Sequence, residues 1–301
     1  MLGVCLMPNR SVLTSWILAT RPKTLVAAAL PVIVGTVLAH VLTGSWIPML
    51  GACTLLSALF LQIATNFFND AIDFQKGADT ADRIGPRRAT VSGDASGRTV
   101  LIAGLLCLGV ACALALPLIH ARGWLILAIG MPSLFLCYGY TGGPWPLAYL
   151  GLGELFVVLF FGLIAVAGTV FVHSGQWLPE AMVAGLQTGL LSAVLIEINN
   201  LRDVDEDRAA QKHTLAVRFG PACGQCLLAF FLLAPYALGW FWVQRGHAQA
   251  GLWPCAVLPL SLLLLWLVAK SPPSVIYNRY LALGAVHFVL FEILFCLGLQ
   301  A

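Results

Sequence analysis

Two carboxylate-rich stretches interrupt an otherwise apolar chain. The first runs from Asn66 to Asp79 and carries Asn66, Asn69, Asp70, Asp73, Lys76 and Asp79. The second runs from Asn199 to Asp207 and carries Asn199, Asn200, Arg202, Asp203, Asp205, Glu206 and Asp207. Asn69 and Asp73 are four residues apart, as are Asp203 and Asp207, and on a helix that spacing puts both side chains on one face. Two such pairs facing one cavity offer hard oxygen ligands. That donor set suits magnesium, which commonly takes one or two carboxylates together with waters and the phosphate oxygens of a substrate. Asp70, Asp79, Asp205 and Glu206 are further candidates. A single acidic pair at a helix end reads as a solvated cap. Two islands, each closing a long apolar run, need a wet cavity and countercharge, and they point to a divalent metal and a phosphorylated ligand.

Cations flank both islands. Lys76, Arg83, Arg87 and Arg88 belong to the first, Arg202, Arg208 and Lys212 to the second, and Arg21 and Lys23 precede the first long apolar run. Metal, carboxylates and guanidinium groups together fit a diphosphate, whose oxygens take both metal and fork-like donors. Lys76 and Lys212 sit within the islands and are read as ligand-binding. Arg87, Arg88 and Arg98 serve equally well as anchors at a membrane face. Tyr140-Thr141-Gly142-Gly143-Pro144 is a third polar segment. Its glycines allow close backbone approach and its two hydroxyls can donate to a phosphate, although a plain interhelical turn fits as well. Three carboxylates lie inside apolar runs. Glu154 stands near a helix start, where the dipole favours an anion; Glu197 is one turn from Asn200 and able to reach the same cavity; Glu292 has no evident partner. Phe67, Phe68, Phe156, Phe160 and Phe161 supply apolar walls able to hold a hydrocarbon tail. Cys223 and Cys226 have redox spacing, but at a helix start they read as small apolar filler.

The elements that must position these groups are membrane helices. The chain has 301 residues, 60% of them hydrophobic and only 10% charged, with a mean hydropathy of +0.91. That composition describes a polytopic membrane protein rather than a soluble domain. Nine apolar stretches, near 24–42, 47–69, 99–118, 123–139, 150–172, 180–200, 222–243, 251–269 and 279–299, each approach the ~20 residues a spanning helix needs. Continuous rather than alternating hydrophobicity disfavours a barrel. With the N-terminus inside, all of the 16 Lys and Arg except Arg122 and Arg245 fall on one face, which obeys the positive-inside rule and makes both islands cytoplasmic. The net charge of +3 is then a topology signal, with no case for nucleic-acid binding. Met1 to Met7 is too short and weakly charged for a signal peptide. The chain reads as a single domain, 1–301. The islands recur four spans apart, which suggests two parallel halves with the site between them. The long charged connections near 70–98 and 201–221 read as lids over that site.

In combination these motifs resemble the UbiA superfamily of intramembrane prenyltransferases, and within it the branch acting on 1,4-dihydroxy-2-naphthoate. The matching residues are Arg21-Pro22-Lys23-Thr24-Leu25, the first island through Asp79, Asp82-Arg83-Ile84-Gly85-Pro86-Arg87, Tyr140 to Pro144 with Tyr149 to Glu154, and Asn199 through Asp207 with Lys212, Thr214 and Leu215. The family pattern Asn-Asp-x-x-Asp-x-x-x-Asp is met by Asn69, Asp70 and Asp73, with Asp79 two residues late; the later Asp resembles the naphthoate branch. Asp203-x-x-x-Asp207 matches without departure. The resemblance implies an all-α polytopic membrane protein of nine transmembrane helices around a central cavity with cytoplasmic cap loops. It implies Mg2+ on Asn69, Asp70, Asp73, Asp79, Asp203 and Asp207. Diphosphate would be held by Arg21, Lys76, Arg83, Tyr140, Thr141 and Lys212, with Asn66, Glu154, Glu197, Asn200 and Arg202 around the cavity. The implied reaction takes polyprenyl diphosphate and 1,4-dihydroxy-2-naphthoate to demethylmenaquinone in a bacterial cytoplasmic membrane, with the bilayer as solvent and no protein partner required. A sibling enzyme using 4-hydroxybenzoate or another acceptor is the nearest rival. A secondary transporter and a lipid-binding scaffold are rivals of other classes: acids gathered at one face argue against the first, and two metal-spaced pairs against the second.

Overall fold

The computed structural model describes residues 12–77, 84–85 and 88–301, and every regular element among them is helical. The chain runs α1 (Val12–Ala19), α2 (Pro22–Thr43), α3 (Pro48–Gln75), α4 (Gly97–Arg122) and α5 (Trp124–Gly139). A short 3-10 turn, Leu147–Tyr149, leads into one continuous rod made of α6 (Gly153–Val157), a π-helical stretch (Val158–Ile164) and α7 (Ala165–Ser174). Then come α8 (Pro179–Arg202), the short α9 (Val204–Ala209) and α10 (Leu215–Phe219), and α11 (Pro221–Gln244). A rod of α12 (Ala248–Leu252), a 3-10 turn (Trp253–Val257) and α13 (Leu258–Lys270) precedes the final α14 (Tyr277–Gln300).

Apolar runs of this length become helices because hydrocarbon offers no partner for a backbone N–H or C=O. Proline, which needs no N–H partner at a first helical turn, opens α2, α3, α8 and α11. Gly123 turns α4 back into α5 with φ 71° and ψ −153°, a conformation open to glycine and little else. Among the described residues, 8 helical rods are long and apolar enough to cross a membrane. The stretch expected as a further span near 123–139 forms α5, a helix of 16 residues, shorter than the ~20 that full crossing takes. The chain is thus a multi-pass membrane protein, and the count of nine is not reached on length alone.

The bundle is apolar outside and polar within. Trp124, Leu106, Phe135, Met49 and Trp240 point outward, while Asp70, Asp73, Glu154, Glu197 and Arg202 are buried. α8 is the most enclosed of the long helices. It packs so closely on the π-helical stretch that a Cβ on Gly162 would lie 2.3 Å from the Gly185 carbonyl oxygen and 2.5 Å from the Gly189 Cα. Only paired glycines permit that approach.

Candidate functional site

Two chambers meet inside the bundle. A polar one of about 330 Å³ is bounded by Arg21, Asn69, Asp73, Arg88, Asp203 and Lys212, among others. An apolar one of about 250 Å³ lies between α2, α3, α4, α5 and the α6–α7 rod, with Leu61, Ile129, Phe156, Phe160, Phe161 and Ile164 in its walls. Tyr140 lines both. Phe67 and Phe68, expected in an apolar wall, pack instead into the contact between α3 and α4.

The first island is the end of α3, which stays helical to Gln75, so Asn69 and Asp73 share a face. Asn69 Oδ1 accepts from the Thr141 hydroxyl. Asp73 Oδ1 accepts from the Tyr149 hydroxyl at 3.0 Å. Its Oδ2 lies 3.5 Å from Lys212 Nζ and 3.6 Å from Arg88. Asp70, expected as a metal ligand, borders the polar chamber with its oxygens taken up by the following loop. At 1% exposure, its Oδ2 accepts the Ala89 N–H at 3.0 Å, and its Oδ1 accepts both the Thr90 N–H at 3.4 Å and the Thr90 hydroxyl. Three donors on two oxygens make it the anchor of the loop that delivers Arg88. Asn66, expected at the cavity, points to the α1–α2 elbow instead. Its Nδ2 donates to the Thr20 carbonyl at 2.8 Å and to Thr24 Oγ1 at 3.2 Å.

The second island straddles a helix junction. Asp203 ends α8 and starts α9, and the Asp207 N–H donates to the Asp203 carbonyl at 2.7 Å, so the four-residue spacing survives the break. Arg202 grips both Asp203 oxygens, at 2.6 and 2.7 Å, and reaches Asn278 Oδ1 at 2.7 Å. Asn278 Nδ2 in turn donates to the Ile84 carbonyl at 3.2 Å, and the Ile84 N–H to Glu206 Oε1 at 2.8 Å. This network ties the first connection to the second island and to α14. Asp205 pairs with Arg208 at the surface, away from the chamber. Glu154 Oε1 accepts from Asn200 Nδ2 at 2.6 Å, and Glu197 lies behind it.

The cations converge on one ring. Lys76 Nζ stands 4.2 Å from the centroid of Tyr149 and Lys212 Nζ 5.2 Å; Lys76 also donates to the Thr141 carbonyl at 2.7 Å. Burial, with the nearby Lys212 charge, lowers the Lys76 pKa, and Asp73 pulls the other way. Burial first, then the Glu154, Asp207 and Asp73 charges, drives the Tyr140 phenol upward, so Tyr140 is a neutral hydroxyl. Arg21 holds a left-handed backbone, φ 53° and ψ 67°, which is uncommon for a non-glycine residue and a mark of functional sites. The strain aims a guanidinium into the polar chamber from the elbow before α2. Gly151, at φ +69°, lets the 140–152 loop lie on the second island's loop. A Cβ there would sit 2.6 Å from the His213 carbonyl oxygen, and the His213 N–H donates to the Tyr149 carbonyl at 3.0 Å.

Asp79 and Arg83, expected as a metal ligand and a diphosphate donor, lie outside the described residues, as do Asp82, Pro86 and Arg87. Among the described residues no three His, Cys, Asp or Glu side chains converge into a metal cage. The oxygen set of Asn69 and Asp73 on one wall, with Asp203 and Asp207 on the other, still fits magnesium, which takes few carboxylates and completes its shell with phosphate and water. Three residues of the site went unselected in the sequence. Arg88 stood evenly between ligand-binding and a membrane-face anchor, Tyr149 entered only within a stretch that carries the family resemblance, and Asn278 was an isolated amide at the start of the last span, its sole signal polarity beside so apolar a run.

Comparison with known proteins is consistent with this geometry. The profile of the UbiA prenyltransferase family matches residues 28–286. The 1,4-dihydroxy-2-naphthoate octaprenyltransferase of Haemophilus influenzae is 32% identical, covering 95% of this chain and 96% of the relative. The enzyme of the same name from Mycobacterium tuberculosis is 40% identical, covering 69% and 70%. Among solved structures, a UbiA homolog from Archaeoglobus fulgidus bound to DMAPP and Mg2+ superposes with a TM-score of 0.64 at 14% identity, over 93% of this chain and 99% of that one; at that identity the likeness is one of fold.

Proposed function

This chain belongs to the UbiA prenyltransferase family, and on that premise we propose that it transfers a polyprenyl group from polyprenyl diphosphate to 1,4-dihydroxy-2-naphthoate. Diphosphate and carbon dioxide leave and the quinol, demethylmenaquinol, results, as the names of its relatives suggest for the acceptor. The observation that carries the reading is the meeting of the two chambers at Tyr140: one compartment is built for each half of a donor with an anionic head and an oily tail.

Lys76, Lys212, Arg88 and Arg21 hold the head, and Tyr140 and Thr141 offer hydroxyls. Asn69, Asp73, Asp203 and Asp207 are the residues that would hold magnesium. Bound magnesium supplies positive charge against the diphosphate that departs. Arg202 keeps Asp203 in one orientation, and the Tyr149 hydroxyl does the same for Asp73. Phe156, Phe160 and Phe161 exclude water from the allylic cation and offer it aromatic faces. The cytoplasmic membrane of a bacterium, with the N-terminus and both islands inside, is the placement that the distribution of Lys and Arg supports.

The test incubates purified, detergent-solubilised protein with 1,4-dihydroxy-2-naphthoate, a polyprenyl diphosphate and magnesium, with a chelator control, and looks for prenylated, decarboxylated product by mass spectrometry. Magnesium-dependent product is expected. Product from 4-hydroxybenzoate but none from the naphthoate would move the activity to a sibling enzyme. Solute flux into liposomes without a prenyl donor, and no product, would replace it with transport.

A further inference from the structure

Where the polar and apolar chambers join, the wall carries a carboxyl that diphosphate binding leaves unused, with a second carboxyl behind it. Glu154 opens α6 and lines the polar chamber. Glu197, on α8, has 0% exposure. Its carboxyl neighbours that of Glu154, and among the described residues no N–H or O–H donor reaches either of its oxygens. On its far side is Gly224, where a Cβ would lie 2.6 Å from Glu197 Oε1, so α11 gives up a side chain to make room. The Tyr140 hydroxyl is alongside: a Cβ on Gly153, the residue before Glu154, would lie 3.0 Å from it.

We propose that Glu154, backed by Glu197, transiently takes the hydroxyl proton of the aromatic acceptor during carbon–carbon bond formation. The proposal rests on the prenyl-transfer reading above. With the head in one chamber and the tail in the other, the reacting allylic carbon lies at Tyr140, and Glu154 is the carboxylate beside that point. Asp73 and Asp203 are already engaged by Arg88 and Lys212 and by Arg202. The allylic C–O bond breaks and its electron pair leaves with the diphosphate. The ring carbon bearing the carboxylate bonds to the allylic carbon, the neighbouring O–H electrons form a carbonyl, and the proton passes to Glu154. The resulting β-keto acid loses carbon dioxide, the released pair restores the aromatic ring, and the oxygen takes its proton back. Glu154 ends each turnover in the state in which it began. Asn200 orients the Glu154 carboxylate, and Glu197 is a positioning residue packed behind it.

The experiment compares Glu154→Gln, Glu154→Asp, Glu197→Gln and Glu197→Leu with the wild-type protein in detergent. Turnover with 1,4-dihydroxy-2-naphthoate is read alongside 18O exchange between bridging and non-bridging positions of the donor, which reports C–O cleavage and return without the acceptor. Glu154→Gln is expected to lose about 100-fold in kcat, in the range of a removed acid–base group, while the donor KM and the 18O exchange persist. Glu154→Asp recovers part of the rate. Glu197→Leu loses rate, and Glu197→Gln, which keeps a donor facing Glu154, recovers most of that loss. Glu154→Gln turning over within about threefold of wild type, a barrier change of under ~1 kcal/mol, overturns the proposal. So does 18O exchange that falls in step with turnover, since that places the pair in the donor site or in the fold. Wild-type protein that neither exchanges 18O nor forms product defeats the prenyl-transfer reading itself, a result distinct from either.

Discussion

Replacing Asp70 by Asn separates the metal role that the family resemblance implies from the loop-anchoring role that the structure shows. In the structure its two oxygens accept two backbone N–H groups and one hydroxyl from Ala89 and Thr90. An amide keeps one acceptor oxygen and turns the other position into a donor, so a buried N–H is left facing an NH2 group. An orphaned buried donor costs about 1–3 kcal/mol, and the remaining bonds lose the extra strength of a charged acceptor, about another 1 kcal/mol. The sum is about 3 kcal/mol, which for a domain of this size is a fall in Tm of about 5–10 °C. Limited proteolysis should show cleavage within the loop before α4, and the donor KM should rise because that loop carries Arg88. The magnesium concentration for half-maximal activity should stay where it is in the wild-type protein. Unchanged thermal stability together with about a tenfold weaker magnesium requirement, 1.4 kcal/mol at the metal, would refute the anchoring argument and return Asp70 to the metal.

Other substitutions test other links. Arg202→Lys keeps the charge but loses the fork on Asp203 and the reach to Asn278; we expect a loss of about 2 kcal/mol in stability and a large fall in kcat, read by melting and turnover, and wild-type values in both would show the fork to be incidental. Lys212→Met should raise the donor KM about tenfold, the equivalent of one charge-assisted hydrogen bond, with a smaller change in kcat; an unchanged KM would remove Lys212 from the diphosphate site. Gly162→Ala forces a methyl group to within 2.3 Å of a backbone carbonyl and should destabilise by up to about 3 kcal/mol, visible as reduced yield and Tm; an unaffected protein would mean that the seam with α8 can open. Chelation of divalent metal should abolish turnover and leave the helical content by circular dichroism intact, because no all-protein metal cage holds the described residues together.

The spans were legible because a bilayer leaves an apolar run little choice of structure. The stretches expected near 24–42, 180–200 and 279–299 appear as α2, α8 and α14 with ends displaced by a few residues. The four-residue spacing of Asn69 with Asp73 also carried through, since α3 runs on past both. Spacing along the chain carries no information about where a carboxylate's hydrogen bonds come from. Asp70 and Asp73 look alike in sequence, and only the fold of the 88–95 loop turns one toward backbone N–H groups and the other toward Lys212. Asn66 was misplaced for a related reason: it shares a face of α3 with Asp73 but stands about two turns earlier, level with the α1–α2 elbow. Arg88 and Asn278 became visible through tertiary contacts with partners far away in sequence. α5 shows the opposite limit, for its composition is that of a span while its length is not.

The Tyr149 ring, with Lys76 and Lys212 resting against it, bears on how a turnover ends. A site that grips a diphosphate through several cations and a metal runs the risk of never letting it go. Here both ammonium groups have an aromatic surface to settle on when the anion is gone, each contact contributing about 1 kcal/mol. Two such contacts set against the grip on the leaving group weaken it about 30-fold. On the prenyl-transfer reading, Tyr149 would act as a parking place for charge, trading tightness of product retention for speed of release, and replacing it with an aliphatic residue would be expected to slow the cycle at its last step rather than its first.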